Sequence, residues 1–246
     1  METVTLEIEN ILIREHEPVV KVSNLSFRYL QKSPPVLKDI SLGFFPNKLT
    51  VIAGPNGSGK TTLVKHFNGL ITPKNGKVTI LDHEVTKKNR REIQKLVGLV
   101  FQNPDEQIFF PRVCDDIAFG PRNMRLNPHE IEERIDKALE EVRIGHLKDR
   151  ITFNLSFGEK KKVAFAGILA MDPKIMVLDE PTSSIDPWSK PDMLSIIQGF
   201  KNHRTVIVVT HDFDVMKIAD RIVLIKEGRL AGDFKSFEEF YQKEFA

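Results

Sequence analysis

The chain has 246 residues, 41% of them hydrophobic and 28% charged, which suits one large domain or two closely packed lobes around a buried core. Net charge is only +2, so there is no electrostatic footprint for nucleic acid, and the single cysteine, Cys114, cannot form an internal disulfide. No apolar run approaches the roughly 18 residues that a bilayer span needs, and the N-terminal stretch METVTLEIENILIREHEP shows no signal-peptide pattern, so the expectation is a soluble cytosolic protein.

Residues 19–53 read as short strands, VVKVSNLSFRY, ISLGFF and LTVIAG, broken at KSPP and PNK where proline and asparagine favour turns. KVTILDHEV and LVGLVFQ read as two more. From Asn127 the period changes. Asn127 as cap, Pro128 at the first helical position and Glu130 two further on open a helix. Its apolar face is Ile131, Ile135, Leu139 and Val142, and Gly145 follows its end. A second helix is expected from about Ser156 to Met171, with the lysines after Glu159 on a solvated face. KIMVLDE and RTVIVVT are continuous β-branched or apolar runs, the pattern of central strands covered on both faces. RIVLIKEGRL reads as a hairpin, and SFEEFYQKEF as a final helix with a capping box of Ser236 and Glu239. The sum is an α/β core, residues 1–101 and 172–246, interrupted by a helical lobe, residues 102–171.

The strongest chemical signal is VIAGPNGSGKTTLVKHF. Gly54 and Gly59 enclose Pro55, Asn56, Gly57 and Ser58 and are followed by Lys60, Thr61 and Thr62, which is the G-x-x-x-x-G-K-S/T phosphate loop between an apolar strand and a helix. Glycines there let backbone N–H groups turn inward around phosphate oxygens, and the helix adds the positive end of its dipole. Lys60 supplies charge for the β- and γ-phosphates, and the Thr61 hydroxyl a magnesium ligand. In IMVLDEPT, Asp179 closes a central strand, where an acid holds magnesium, and Glu180 follows as a carboxylate able to take a proton from water. His211 ends another strand on the same ligand-binding edge and is read as a γ-phosphate contact. Gln102 also closes a strand, where its amide could ligate magnesium or orient water.

The stretch NLSFGEKKKVAFAG, residues 154–167, admits two readings. It is a helix capped by Ser156 and Glu159, or a phosphate reader with Ser156 and Gly158 aimed at a ligand on another chain.

Taken together, the phosphate loop, the Asp179–Glu180 strand end and His211 resemble the ATP-binding cassette (ABC) ATPases. The resemblance covers nearly the whole chain. It implies a P-loop NTPase fold of the ABC type, with a RecA-like core, an N-terminal antiparallel β region and an inserted helical subdomain. It implies ATP and magnesium as ligands and a second cassette, identical or not, as partner. In that family the motif L-S-G-G-Q faces the γ-phosphate of ATP held by the opposite subunit. The matching residues are Leu155, Ser156, Phe157, Gly158 and Glu159, with Phe157 in place of glycine and Glu159 in place of glutamine. These departures predict a motif that works less well than L-S-G-G-Q. SSIDP resembles the loop that carries Asp186 across the dimer interface, and Tyr29 stands where the family places an aromatic ring against adenine.

One subgroup fits best. FQNPDEQIFFPRVCDDIAFGPRNM resembles the energy-coupling ATPases of ECF-type importers, which take up vitamins and transition-metal ions. The resemblance implies a groove for helices of an integral membrane subunit near Gln102 and residues 107–111, with Ile108, Phe109, Phe110 and Pro111 as its apolar part. It implies a peripheral place on the cytoplasmic face of the membrane and hydrolysis of ATP coupled to transport. Two rivals are a non-transport ABC ATPase and a nucleotide-gated subunit with a degenerate composite site in a heterodimer.

Overall fold

The structure, a computed structural model, describes residues 17–245. The reading of the first sixteen residues therefore lies outside the described residues.

Alternating apolar positions fold the first strands, β1 (Val20–Phe27) and β2 (Leu37–Phe44), into an antiparallel pair. The buried strand β3 (Leu49–Ala53) leads through the phosphate loop into α1 (Lys60–Phe67). KVTILDHEV, expected as one strand, is instead a hairpin of β4 (Asn75–Ile80) and β5 (His83–Glu84). Leu81 and Asp82 turn the chain with φ of 44° and 69°. Two successive left-handed residues make the tight turn that matches strand twist, and leucine gives no sign of it in a sequence.

After α2 (Arg90–Leu96) and β6 (Val97–Val100), the regular elements up to residue 169 are helical: α3 (Val113–Asn123), α4 (Pro128–Glu141) and α5 (Phe157–Leu169). Two of the three caps read from sequence are reciprocal capping boxes, Asn127 with Glu130 and Ser156 with Glu159. At the third, the Ser236 hydroxyl accepts from the Glu239 N–H at 3.2 Å, but the Glu239 carboxylate accepts from the Lys235 N–H at 2.9 Å instead of the Ser236 N–H. The remaining elements are β7 (Ile175–Asp179), α6 (Lys190–Phe200), β8 (Thr205–Val209), α7 (Phe213–Lys217), the hairpin β9 (Arg221–Lys226) and β10 (Arg229–Phe234), and α8 (Phe237–Phe245).

The strands form two sheets. One is antiparallel, in the order β2-β1-β4-β5. The other runs β10-β9-β3-β8-β7-β6, parallel except for the β10 edge. Apolar residues fill both faces of the second sheet. On β7, Met176 and Leu178 join the cluster under α3, α4 and α5, while Ile175 and Val177 join the cluster with α1 and the antiparallel sheet. That double cover is why β7 is apolar from Ile175 to Leu178 and β8 from Val206 to Val209. The pairs Ile52↔Val209, Asp179↔Val209 and Val100↔Leu178 align the carboxyl ends of four strands. Gly54, Gln102, Glu180 and His211 consequently leave the sheet along one rim. Among the described residues no helix is long and apolar enough to cross a membrane.

Candidate active site

The phosphate loop is shaped by its glycines. Gly54 has φ +141°, and a Cβ there would sit 2.0 Å from the Ile225 carbonyl oxygen; Gly59 has φ +103°, with a Cβ position 2.9 Å from the Val36 carbonyl oxygen. Only glycine meets both demands. The β9–β10 turn braces the loop from behind, with Gly228 N–H donating to the Ser58 carbonyl at 3.1 Å and the Lys38 N–H donating to the Gly228 carbonyl at 2.8 Å. Lys60 Nζ lies inside the loop, donating to the carbonyls of Gly54 at 2.8 Å and Pro55 at 2.9 Å. Burial lowers its pKa, and the charges of Glu180 and Asp179 oppose that shift.

Asp179 is buried at the end of β7, with burial pushing its carboxyl up and a hydrogen bond from the Thr61 side chain holding it down. Among the described residues its Oδ1 and the Ser58 hydroxyl are buried without a partner, which is the condition of oxygens shaped for a ligand. Among the described residues no three His, Cys, Asp or Glu side chains form a metal cage. One carboxylate, a hydroxyl and phosphate oxygens are the donor set that suits magnesium, which keeps waters and rarely takes an all-protein cage. The residues present thus fit a magnesium ion held by Thr61 and Asp179.

Glu180 follows with φ +49°, an uncommon backbone for this residue type. Both carboxylate oxygens accept hydrogen bonds, Oε1 from His211 Nδ1 at 2.9 Å and Oε2 from the Thr210 hydroxyl at 3.1 Å. His211 therefore touches the acid directly. Thr210, overlooked in the sequence because a threonine at a strand end is ordinary, is part of the site. A cleft of about 480 Å³ opens beside these groups, lined by Tyr29, Thr61, Lys65, Phe101, Gln102 and Asp179 among others. Tyr29 is 52% exposed; its hydroxyl is 3.0 Å from the Thr62 hydroxyl and its ring stands edge-on to Phe27.

Ser156, Gly158, Glu159 and Asp186 are not brought to this chain's phosphate loop. The Ser156 N–H and hydroxyl both donate to Glu159 Oε2 at 2.8 Å, and Asp186 Oδ1 accepts from Trp188 N–H and Ser189 N–H. A Cβ on Gly158 would meet nothing within 4 Å, so the fold of this chain does not require glycine there. The lysine run departs from the solvated face expected of it. Lys161 is 1% exposed and donates to the carbonyls of Glu180 at 2.7 Å and Pro181 at 3.1 Å and to Ser183 Oγ at 3.0 Å. Lys160 pairs with Asp105, and Lys162 with Asp192. The reason is that α5 packs against α3, α4, β6 and the turn after β7, so its charged side finds acceptors instead of water.

A second hollow, about 610 Å³, lies between α2, α3 and α5. Gln107, Phe109, Phe119, Met124 and Met171 line it, with Arg91 and Lys95 at one side. Phe109 stands edge-on to the rings of Phe110 and Phe119, which are tilted to each other by 44°, and Phe109 is 60% exposed. Ile108, by contrast, packs against the core. The turn is held by buried Asp116, whose Oδ1 accepts from the N–H groups of Phe109 and Phe110 at 2.9 and 3.1 Å. Asp116 escaped sequence reading because one acid among many carries no signal.

Comparison with known proteins decides the family. The ABC transporter family model matches residues 37–183, from β2 through the phosphate loop to the turn after Glu180. The chain belongs to the ABC transporter ATPases. As an ABC ATPase it binds ATP and hydrolyses it to energise transport, on the mixed α/β fold described above. It is 45% identical over 196 residues to the energy-coupling factor transporter ATP-binding protein EcfA of Methanoculleus marisnigri, covering 78% of this chain and 71% of the relative. It is 40% identical over 216 residues to a putative ABC transporter ATP-binding protein of Geobacter sulfurreducens, covering 87% and 86%. Among solved structures it resembles cbiO1 from Clostridium perfringens, described as part of the ABC transporter complex cbiONQ. The TM-score is 0.85 and the identity 36%, over 93% of this chain and 92% of that one.

Proposed function

We propose that this ABC ATPase is the energy-coupling subunit of an ECF-type importer for vitamins or transition-metal ions. In this reading it sits on the cytoplasmic face of the membrane as a dimer of cassettes bound to an integral membrane subunit. The observation that carries the chemistry is the carboxylate of Glu180, set at the end of β7 beside the phosphate loop and oriented by two donors, Thr210 and His211.

Lys60 and the loop N–H groups bind the β- and γ-phosphates, and Tyr29 offers its ring to adenine. Thr61 and Asp179 would hold magnesium, with Gln102 at the same cleft; the ion supplies positive charge against the phosphate oxygens. Glu180, acting as general base, accepts a proton from the attacking water at its carboxylate. His211, while keeping Nδ1 on Glu180, presents its other nitrogen toward the γ-phosphate. Ser156, Gly158, Glu159 and Asp186 serve the ATP of the partner cassette. The open space around Gly158 supports that role, because no contact among the described residues explains a glycine there.

The hollow beside α2 is the seat for a helix of the membrane subunit. Its lining is mostly apolar, and it is wired to the nucleotide cleft. Gln107 Oε1 accepts from the Phe101 N–H at 3.0 Å, so movement in the hollow shifts the backbone next to Gln102. A second reading, a degenerate composite site in a heterodimer, draws on Phe157 and Glu159 alone.

Glu180→Gln tests the proposal. It should keep ATP affinity, lose about 10²–10⁴ in turnover and collect as an ATP-bound dimer on sedimentation with ATP and magnesium. Turnover within a few-fold of wild type would rule Glu180 out as the base. Copurification with ribosomes or DNA instead of a membrane subunit would overturn the transport role.

A further inference from the structure

We infer that Lys161, steadied by Phe157, is a positioning residue that clamps the backbone of residues 180–183 to α5 and thereby fixes where the Glu180 carboxylate stands. The inference rests on the reading of Glu180 as the base and adds to it a residue that reaches the base through the main chain.

Lys161 is the buried lysine of α5, and all three of its N–H groups have an acceptor of their own, the Glu180 carbonyl, the Pro181 carbonyl and Ser183 Oγ. Ser183 Oγ in turn donates to the Glu180 carbonyl at 2.9 Å, so that carbonyl is held twice. The Glu180 N–H donates to the Val209 carbonyl at 2.8 Å. Both backbone groups of the residue are thus pinned, one by β8 and one by α5. A non-glycine residue at φ +49° persists when its surroundings over-determine it, and Lys161 is the part of that restraint contributed by the helical lobe.

Stability alone is a poor reason for this lysine. Burying an ammonium is costly, and an apolar side chain of similar length would fill the volume at less expense. Among the described residues no carboxylate bonds to Lys161; its charge faces carbonyl dipoles, with Asp179 and Glu180 as the carboxylates that act on it. On the side of its own helix it faces Phe157, whose ring centroid is 5.4 Å from Nζ. The two are four residues apart on α5 and so share a face. A ring face is a good neighbour for a desolvated cation. Phe157, the residue that departs from the family's glycine, therefore has a use inside this chain. Because α5 begins at the motif that faces the partner's ATP, the clamp also joins that helix end to the base of this chain's own site.

The test uses the full chain purified with its native partners, with ATP affinity, kcat and KM measured for Lys161→Met, Lys161→Arg, Phe157→Gly and the Phe157→Gly/Lys161→Met pair. Lys161→Met should keep ATP affinity and KM within about twofold while kcat falls between about tenfold and about 100-fold, the scale of a catalytic group misplaced by about an ångström. Lys161→Arg should recover part of that loss. Phe157→Gly should slow turnover by a few-fold (about 3-fold), although it restores the family residue, and should add nothing in the Lys161→Met background, as expected for residues acting as one unit. A drop in melting temperature with kcat per ATP-binding site unchanged would show a merely structural lysine and overturn the inference. So would faster turnover in Phe157→Gly. If Lys161→Met does not fold, Ser183→Ala carries the test: it removes one acceptor and one of the two bonds to the Glu180 carbonyl, and unchanged kcat there overturns the clamp. Glu180→Gln run alongside separates the two ideas. Slow Glu180→Gln with normal Lys161→Met removes the clamp alone, whereas normal Glu180→Gln removes the assigned base and the clamp with it.

Discussion

Phe109→Ser separates a contact surface from a core. Full burial of a phenylalanine is worth up to about 3 kcal/mol. Phe109 is 60% exposed, so about 1 kcal/mol of that is at stake on folding and about 2 kcal/mol remains for a docked partner to gain. Its edgewise contacts with Phe110 and Phe119 add about 0.5–1.5 kcal/mol to the folding side. The variant should therefore lose about 2 kcal/mol of stability, a drop in melting temperature of about 4–8 °C for a chain of this size. Affinity for the membrane subunit should fall roughly 30-fold, from the remaining 2 kcal/mol at about 1.4 kcal/mol per decade. ATP affinity should not change, since Phe109 does not line the nucleotide cleft. Thermal melting, ATP titration and titration against the solubilised membrane subunit measure the three quantities. A much larger loss of stability with unaltered docking would show that the ring belongs to the core and that the hollow is not the seat of the partner.

Gly158→Asp should leave the fold and monomer ATP affinity intact, because the space beside it is open, yet lower ATP-dependent dimerisation and turnover at least about tenfold by setting a carboxylate against the partner's phosphates. Intact dimerisation and turnover would reduce the stretch to a capped surface helix. Glu159 supplies a pH dependence. The hydrogen bond from the Ser156 backbone N–H holds its carboxyl below the ordinary 4.5, so its share of stability is present above that value and is lost as the pH falls through the folded-state pKa. The melting-temperature advantage of wild type over Glu159→Gln should stand at pH 7 and vanish in acid; a difference independent of pH would exclude the carboxylate as its source.

The parts that were legible from residues are those whose geometry is locally coded. The phosphate loop needs left-handed backbone at fixed positions, so Gly54 and Gly59 announce it. Asn127–Glu130 and Ser156–Glu159 announce helix starts because both halves of each capping box lie within four residues. What escaped depends on encounters between distant segments. Helix α3 contains Gly120 and Pro121, which read as breakers. The glycine in fact allows α3 to approach Met171, where a Cβ would lie 2.5 Å from its Cγ. Lys161 sits between two other lysines, and nothing in its neighbours tells which of the three turns inward. Its acceptors lie about twenty residues downstream, and burial was decided by how α5 meets the turn after β7.

The phosphate loop is usually treated as a portable word of eight letters, but here its shape is underwritten by residues far away in the chain. Gly54 is pressed against Ile225, Gly59 against Val36, and the Ser58 carbonyl is tied to Gly228. The letters would not keep their conformation on a peptide or in a fragment ending before β9. A truncation that removes the last hairpin should therefore abolish nucleotide binding, although no residue of that hairpin has been assigned a contact with ATP. The converse holds for change over time. Drift in residues 225–228 is constrained as tightly as drift in the loop itself, and a survey of tolerated substitutions should find the two segments rigid together, separated by more than 160 positions of sequence but sharing one set of backbone contacts.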